Sequence, residues 1–123
     1  MNIIDSSGWL EFFSGGVNAN NFEMPLSDIE KLLVPSITIF EVFKVILRES
    51  NENNALQGIA LMKQGEVIDL NSELAMSAAS ISYNHKIPMA DSIILATSKK
   101  YDAIVWTQDK DFEKMPNVKY FKK

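Results

Sequence analysis

Ala103-Ile104-Val105-Trp106-Thr107, followed at once by Gln108-Asp109, is the stretch whose reading decides the fold. An unbroken run of β-branched and aromatic side chains predicts a strand, and the polar pair ends it. Before it lies Met89-Ala90-Asp91-Ser92-Ile93-Ile94-Leu95-Ala96-Thr97-Ser98, part of a predicted helix over about 90–101. Pro88 separates that helix from another over 72–85, rich in small residues. After the strand come a turn at 110–114 and a last strand, Val118-Lys119-Tyr120-Phe121. Helix, strand, turn and strand in this order are half of an α/β alternation.

The other half precedes it. Asn2-Ile3-Ile4-Asp5 predicts a short strand that runs into a helix start at Ser6-Ser7-Gly8. Trp9, Phe12 and Phe13 then fall at i, i+3 and i+4, one face of a short helix and more a core set than a base-stacking platform. Gly15-Gly16 with Asn18, Asn20 and Asn21 predicts a loop. A helix around 22–31 leads to a very short strand, Leu33-Val34-Pro35. The pattern continues with a strong helix over about 37–50, stopped by Asn51, Asn53 and Asn54, and a further helix over about 55–64. Val67-Ile68-Asp69-Leu70 predicts another strand. No repeat, low-complexity tract or linker interrupts residues 1–123, so a single domain with a mainly parallel sheet is expected. Such sheets bind ligands at the carboxyl ends of their strands, where the strand order reverses.

Composition narrows the chemistry. The 123 residues are 46% hydrophobic and 23% charged, which excludes a disordered chain. There is no cysteine, hence no disulfide, thiolate metal site or cysteine nucleophile. His85 is the only histidine, which argues against a multi-histidine zinc site or a Ser/His/Asp triad; at a helix end it suits the helix dipole. No apolar run approaches the ~20 residues of a membrane span. The start has neither the basic nor the apolar region of a signal peptide, so a cytoplasmic location is the expectation. The net charge is −4, but residues 1–98 carry −7 and residues 99–123 carry +3. The acidic total alone would set nucleic acid aside.

Four acids resist a bland reading. Asp5 and Asp109 end strands, where each could equally cap the turn that follows. Glu41 lies in an apolar helix that should be largely buried. There it shares a stripe with Thr38, Lys44 and Arg48, which faces either a cleft or solvent, with a Glu41–Lys44 pair in the latter case. Asp91 opens a helix of small apolar residues, favoured there by the helix dipole yet costly to bury unpaired. Gathered in one pocket, four carboxylates repel one another unless cations neutralise them. Oxygen ligands suit Mg²⁺ or Mn²⁺, whose carboxylate sites activate water for attack on phosphorus. No phosphate-cradling glycine loop with its lysine is present, so hydrolysis of a phosphodiester is favoured over a nucleotide-driven motor.

Ile4-Asp5-Ser6-Ser7, Ile39-Phe40-Glu41-Val42, Met89-Ala90-Asp91-Ser92-Ile93-Ile94-Leu95-Ala96 and Val105-Trp106-Thr107-Gln108-Asp109-Lys110-Asp111-Phe112 occur in that order. In this ordered set the chain resembles PIN-domain ribonucleases, most closely the small VapC-type toxins of prokaryotic toxin–antitoxin pairs. The resemblance implies a PIN-like α/β three-layer sandwich. Its mainly parallel sheet would run in the order 3-2-1-4-5 with helices on both faces. It implies a Mg²⁺- or Mn²⁺-dependent endoribonuclease that uses an activated water and forms no covalent intermediate. Asp5, Glu41, Asp91 and Asp109 become its catalytic, metal-binding acids. Ser6 and Thr107 become supporting hydroxyls, and Asp111 either helps at the site or serves a surface turn.

The implied partners are an RNA substrate, a cognate antitoxin held near the N-terminal helices, and a second copy of the chain in a homodimer. The six methionines would suit an adaptable interface for that dimer. Lys44 and Arg48 are candidate contacts to RNA phosphates, as is the basic rim of lysines 119, 122 and 123. The loop around Gly15–Asn21 is where target choice should live. Two rival expectations remain. One is a receiver-type phosphoacceptor domain using Asp69, Thr107 and Lys119. The other is a non-catalytic PIN-like interaction module.

Overall fold

Alternation along the strands fixes which helices cover which side of the sheet. The computed structural model describes all 123 residues. Its five strands are β1 (Asn2–Ile4), β2 (Leu32–Pro35), β3 (Glu66–Ile68), β4 (Ile104–Thr107) and β5 (Val118–Tyr120). Its helices are α1 (Ser6–Ser14), α2 (Glu23–Leu26), α3 (Ser36–Glu49), α4 (Glu52–Met62), α5 (Ser72–His85) and α6 (Met89–Tyr101). Successive strand side chains point to opposite faces. Ile3, Leu33 and Val105 therefore join one core with Leu74 and Ala78 of α5 and Ile93, Ile94 and Leu95 of α6. Ile4, Leu32, Val34 and Trp106 join the other, with Trp9 of α1, Val42 of α3, and Ile59 and Met62 of α4. Burying a Val, Leu, Ile or Met side chain in these cores contributes about 1.5–3 kcal/mol relative to exposure.

The strand order is β3-β2-β1-β4-β5, and every pairing is parallel. This is the α/β sandwich and the order implied by the sequence resemblance. β1 lies at the centre, with Ile3 opposite both Leu33 and Val105. The chain leaves β1 toward one edge through β2 and β3, then returns to build the other edge with β4 and β5. The order therefore reverses between β1 and β4. No helix is long and apolar enough to cross a membrane.

Several sequence expectations are corrected. The helix expected around 22–31 is three short pieces: a 3₁₀ turn at Ala19–Phe22, α2, and a 3₁₀ turn at Ile29–Lys31. Ser27 closes α2 by donating its hydroxyl to the Met24 carbonyl, and Asp28 then leaves helical geometry (φ −122°, ψ 71°). The helix expected from 55 begins at Glu52, because the Asn51 side chain accepts from the Asn54 backbone N–H and starts a helix rather than ending one. β3 stops at Ile68, and Leu70 is exposed.

α3 was expected to be largely buried, but only Thr38 and Val42 are, while Phe40 and Leu47 are exposed. Its polar stripe divides accordingly. Thr38 turns inward and donates to the Pro35 carbonyl at 2.7 Å, Glu41 is half-buried, and Lys44 and Arg48 are exposed. Trp9 is fully buried and stacks on Phe13 with ring centroids 5.7 Å apart, as a core set should.

Candidate active site

Close contact between β1 and α1 places the first acid. A Cβ at Gly8 would come within 2.7 Å of both Ile4 Cγ2 and Phe22 Cε1, so only glycine lets α1 lie this near the strand. Asp5 is the single residue between β1 and α1, and its carboxylate caps the helix by accepting from the Gly8 N–H at 2.9 Å. Ser7 Oγ lies 2.9 Å from both Asp5 oxygens, and Thr107 Oγ1 donates to Oδ2 at 2.7 Å. Asp5 is only 2% exposed. Burial pushes its pKa up to about 6, against the three hydrogen-bonding groups that favour the ionised form, and the charge of Asp109 adds to the rise. Capping and membership of an acidic site, alternatives in the sequence, are thus both met by Asp5.

Thr107 ends β4 beside Asp5. Its hydroxyl gives its proton to Asp5 and accepts the Asp109 backbone N–H at 2.8 Å, so one side chain fixes two acids. Asp109 in turn caps the 3₁₀ turn Lys110–Phe112 by accepting from the Asp111 N–H at 2.9 Å. That turn brings the exposed Asp111 to the same place. Carboxylate oxygens of Asp91, Asp109 and Asp111 all lie within 4.8 Å of one another. Asp91 stands in the first turn of α6. Its pKa is pushed up to about 7, first by burial and then by the charges of Asp109, Asp111, Asp5 and Glu41. That set of causes names the other four acids of the ordered motifs. Glu41 is tied in from α3 by Ser6, whose hydroxyl donates to Oε1 at 2.6 Å. The structure thus brings Asp5, Glu41, Asp91, Asp109 and Asp111 together at the carboxyl ends of β1 and β4.

The cationic residues are placed differently. Lys44 Nζ lies 5.7 Å from the Phe40 ring centroid, and Arg48 Nη2 is 3.3 Å from its neighbour Glu49. Lys119 covers the Trp106 ring at 4.5 Å. Asp69, the acid of the phosphoacceptor alternative, follows β3 at the sheet edge and is exposed. Two strands separate β3 from β4, so Asp69 and Thr107 do not end neighbouring strands, and that alternative falls.

Three residues were missed by sequence reasoning. Ser7 was visible as a second hydroxyl in the strand-ending motif, and it, not Ser6, bonds Asp5. Asn18 and Gln108 are buried partners, with Asn18 Nδ2 donating to Gln108 Oε1 at 2.9 Å. Their 90-residue separation left no local signal.

The donor set fits a hard divalent cation. It is all oxygen, and two of its acids hold raised pKa values because burial, and after it like charge, opposes their ionisation, a cost that a cation would relieve.

A family model described as the PIN domain matches residues 3–118. No curated protein sequence matches the chain. Among solved structures, the chain is similar to one in a toxin–antitoxin complex from Klebsiella pneumoniae. The TM-score is 0.79 at 21% identity, covering 97% of this chain and 96% of that one. A Mycobacterium tuberculosis VapC toxin, described as cleaving the sarcin–ricin loop, gives a TM-score of 0.81 at 14% identity over 96% and 97% of the two chains. A chain of a DNA-bound VapBC complex from Salmonella typhimurium gives 0.74 at 15% identity, covering 98% of each.

Proposed function

The chain belongs to the PIN domain family, and from that premise we propose that it is a Mg²⁺- or Mn²⁺-dependent endoribonuclease, the toxin of a toxin–antitoxin pair. The observation that carries this reading is the cluster of Asp91, Asp109 and Asp111, with carboxylate oxygens within 4.8 Å of one another, whose Asp91 also feels the charges of Asp5 after β1 and Glu41 of α3. Asp5, Glu41, Asp91 and Asp109 would hold the cation, with Asp111 beside them. When bound, Mg²⁺ or Mn²⁺ supplies positive charge for the scissile phosphate and a water acidic enough to attack it.

The chain's own residues do the rest. Ser7 and Thr107 hold Asp5 in one orientation, and Ser6 does the same for Glu41. Attack by water leaves no covalent intermediate, in keeping with a site that offers carboxylates and no cysteine nucleophile. Lys44 and Arg48, exposed on α3 near Glu41, serve as contacts for flanking phosphates.

Partners follow from the same reading. The groove of about 710 Å³ between α1 and the α3–α4 hairpin has an apolar floor from Leu10, Phe13, Ile46 and Leu61, which suits an antitoxin segment. A homodimer would cover exposed Met76, Tyr83 and Met89. A cytoplasmic site of action belongs with an RNA target.

Purified protein with Mn²⁺ should cut RNA, EDTA should stop it, and Asp5→Asn and Asp91→Asn should each abolish cutting with the fold retained. Cutting at the wild-type rate in both variants overturns the proposal. Absence of any divalent-ion binding by calorimetry favours a non-catalytic PIN-like module instead.

A further inference from the structure

We infer that Asn18 is a positioning residue for Asp109: it clamps the end of β4 from the side opposite the acids. This inference rests on the nuclease reading above. Asn18 sits in the loop after α1, is only 9% exposed, and sends its N–H groups to three other segments while both its oxygens serve Asn21 of the adjoining 3₁₀ turn. Its backbone N–H donates to Glu11 Oε2 of α1 at 2.9 Å. Its Nδ2 donates to Gln108 Oε1 at 2.9 Å and to the Lys122 carbonyl at 3.2 Å. Its Oδ1 accepts from Asn21 Nδ2 at 3.3 Å.

Gln108 is the residue that makes this more than packing. It stands between Thr107, which bonds Asp5, and Asp109, whose N–H is held by Thr107. Two sets of bonds therefore grip one short run of backbone. On the acid side are Thr107 and Ser7, with Ser7 Oγ 3.4 Å from the Gln108 N–H. On the far side is the Gln108 side chain, buried at 7% exposure and held by Asn18. The segment after β5 is drawn into the same grip. Phe121 N–H donates to the Thr107 carbonyl at 2.8 Å, and the Phe121 ring packs edge-on to Phe22 at 5.5 Å. Asp109 is half-buried, and the only side-chain bond of its carboxylate within the fold is to the adjacent turn. What fixes its position is the backbone at 107–109, so loosening Gln108 loosens Asp109.

The loop's two glycines serve this arrangement. Gly15 takes the left-handed conformation (φ 68°) that turns the chain off α1. At Gly16 a Cβ would lie 2.3 Å from Glu11 Oε1, in the space of the carboxylate that receives Asn18.

The test uses the full chain. Asn18→Asp keeps the size, the backbone N–H and the Oδ1 acceptor but loses both bonds that Nδ2 donates. The expected result is a fall in kcat on an oligoribonucleotide of about tenfold, the scale of two lost hydrogen bonds, with KM within about twofold. Mn²⁺ affinity by calorimetry should weaken alongside, with circular dichroism unchanged. Gln108→Ala should cost the same, and the double variant should cost no more than either alone, since both remove one clamp.

Wild-type kcat and Mn²⁺ affinity in Asn18→Asp overturn the inference, as does full additivity of the two substitutions. If Asn18→Asp does not fold, Gln108→Ala reads the clamp from its other end. Failure of the nuclease reading looks different: the wild-type protein itself would leave RNA intact with Mn²⁺. The Mn²⁺ affinities of the variants then decide the clamp on their own.

Discussion

Replacing Asp5 by asparagine should make the metal-free protein more stable at alkaline pH while abolishing its chemistry. Asp5 has a pKa of about 6 in the folded chain against 3.8 when unperturbed, because burial opposes its ionisation. For an acid raised in this way, the folded state holds the proton more tightly than the unfolded state does. The stability it contributes is fully present at low pH. It is lost as pH rises from 3.8 through about 6. At ~1.36 kcal/mol per unit, ionised Asp5 costs the fold about 3 kcal/mol at pH 8 and about half of that at pH 5.

Asparagine is uncharged and nearly the same shape. The Thr107 hydroxyl can turn to accept from its amide. The stability advantage of Asp5→Asn should therefore grow by about 1.5 kcal/mol between pH 5 and pH 8, or roughly 5 °C in Tm. Urea unfolding of both proteins in EDTA at several pH values measures it. An advantage independent of pH, or one that shrinks as pH rises, refutes the reasoning.

Other consequences are as direct. Saturating Mn²⁺ at ~100 times its Kd should raise wild-type stability by about 2.7 kcal/mol and leave Asp5→Asn nearly unmoved, read by thermal unfolding. Ser6→Ala removes the only hydrogen bond to Glu41 and should lower kcat about tenfold while leaving Tm within a few degrees. Thr107→Val frees both Asp5 and the Asp109 N–H in a fully buried position and should lower stability by about 1–3 kcal/mol as well as activity, measured by urea unfolding and RNA cleavage. Gly8→Ala forces a methyl into Ile4 and Phe22 and should cost about 1–3 kcal/mol in the same unfolding assay.

Strands were legible where side chains must serve two cores at once. Ile3-Ile4 and Val105-Trp106 are apolar on both faces because helices cover both, so their runs stood out without alternation. The acids were legible because an ionisable group at the end of such a run, or in a helix such as α6, has no cheap explanation. Polar sidedness was harder. In α3, Glu41 and Thr38 share a stripe by spacing, yet one meets Ser6 and the other its own Pro35 carbonyl. Residues 19–31 misled because no single period governs them; local side-chain bonds such as that of Ser27 decide the chain path there. The Asn18–Gln108 pair illustrates the remaining limit: its meaning exists only after the fold has joined two distant segments.

The central position of β1 also governs how the protein comes into being. Asp5 is made first, yet the strand that must lie against it, β4, comes roughly a hundred residues later, with Asp109 at its end. Synthesis runs from the N-terminus, and parallel neighbours distant in sequence cannot pair until both are present. A nascent chain that has completed β1, β2 and β3 holds a partial sheet with Asp5 and Glu41 but without Asp91, Asp109 and Asp111. Such a chain should be inert toward RNA, the message being translated included. The topology thus works as a delay: on the proposed reading, cleavage must wait until β4 and Asp109 have been made.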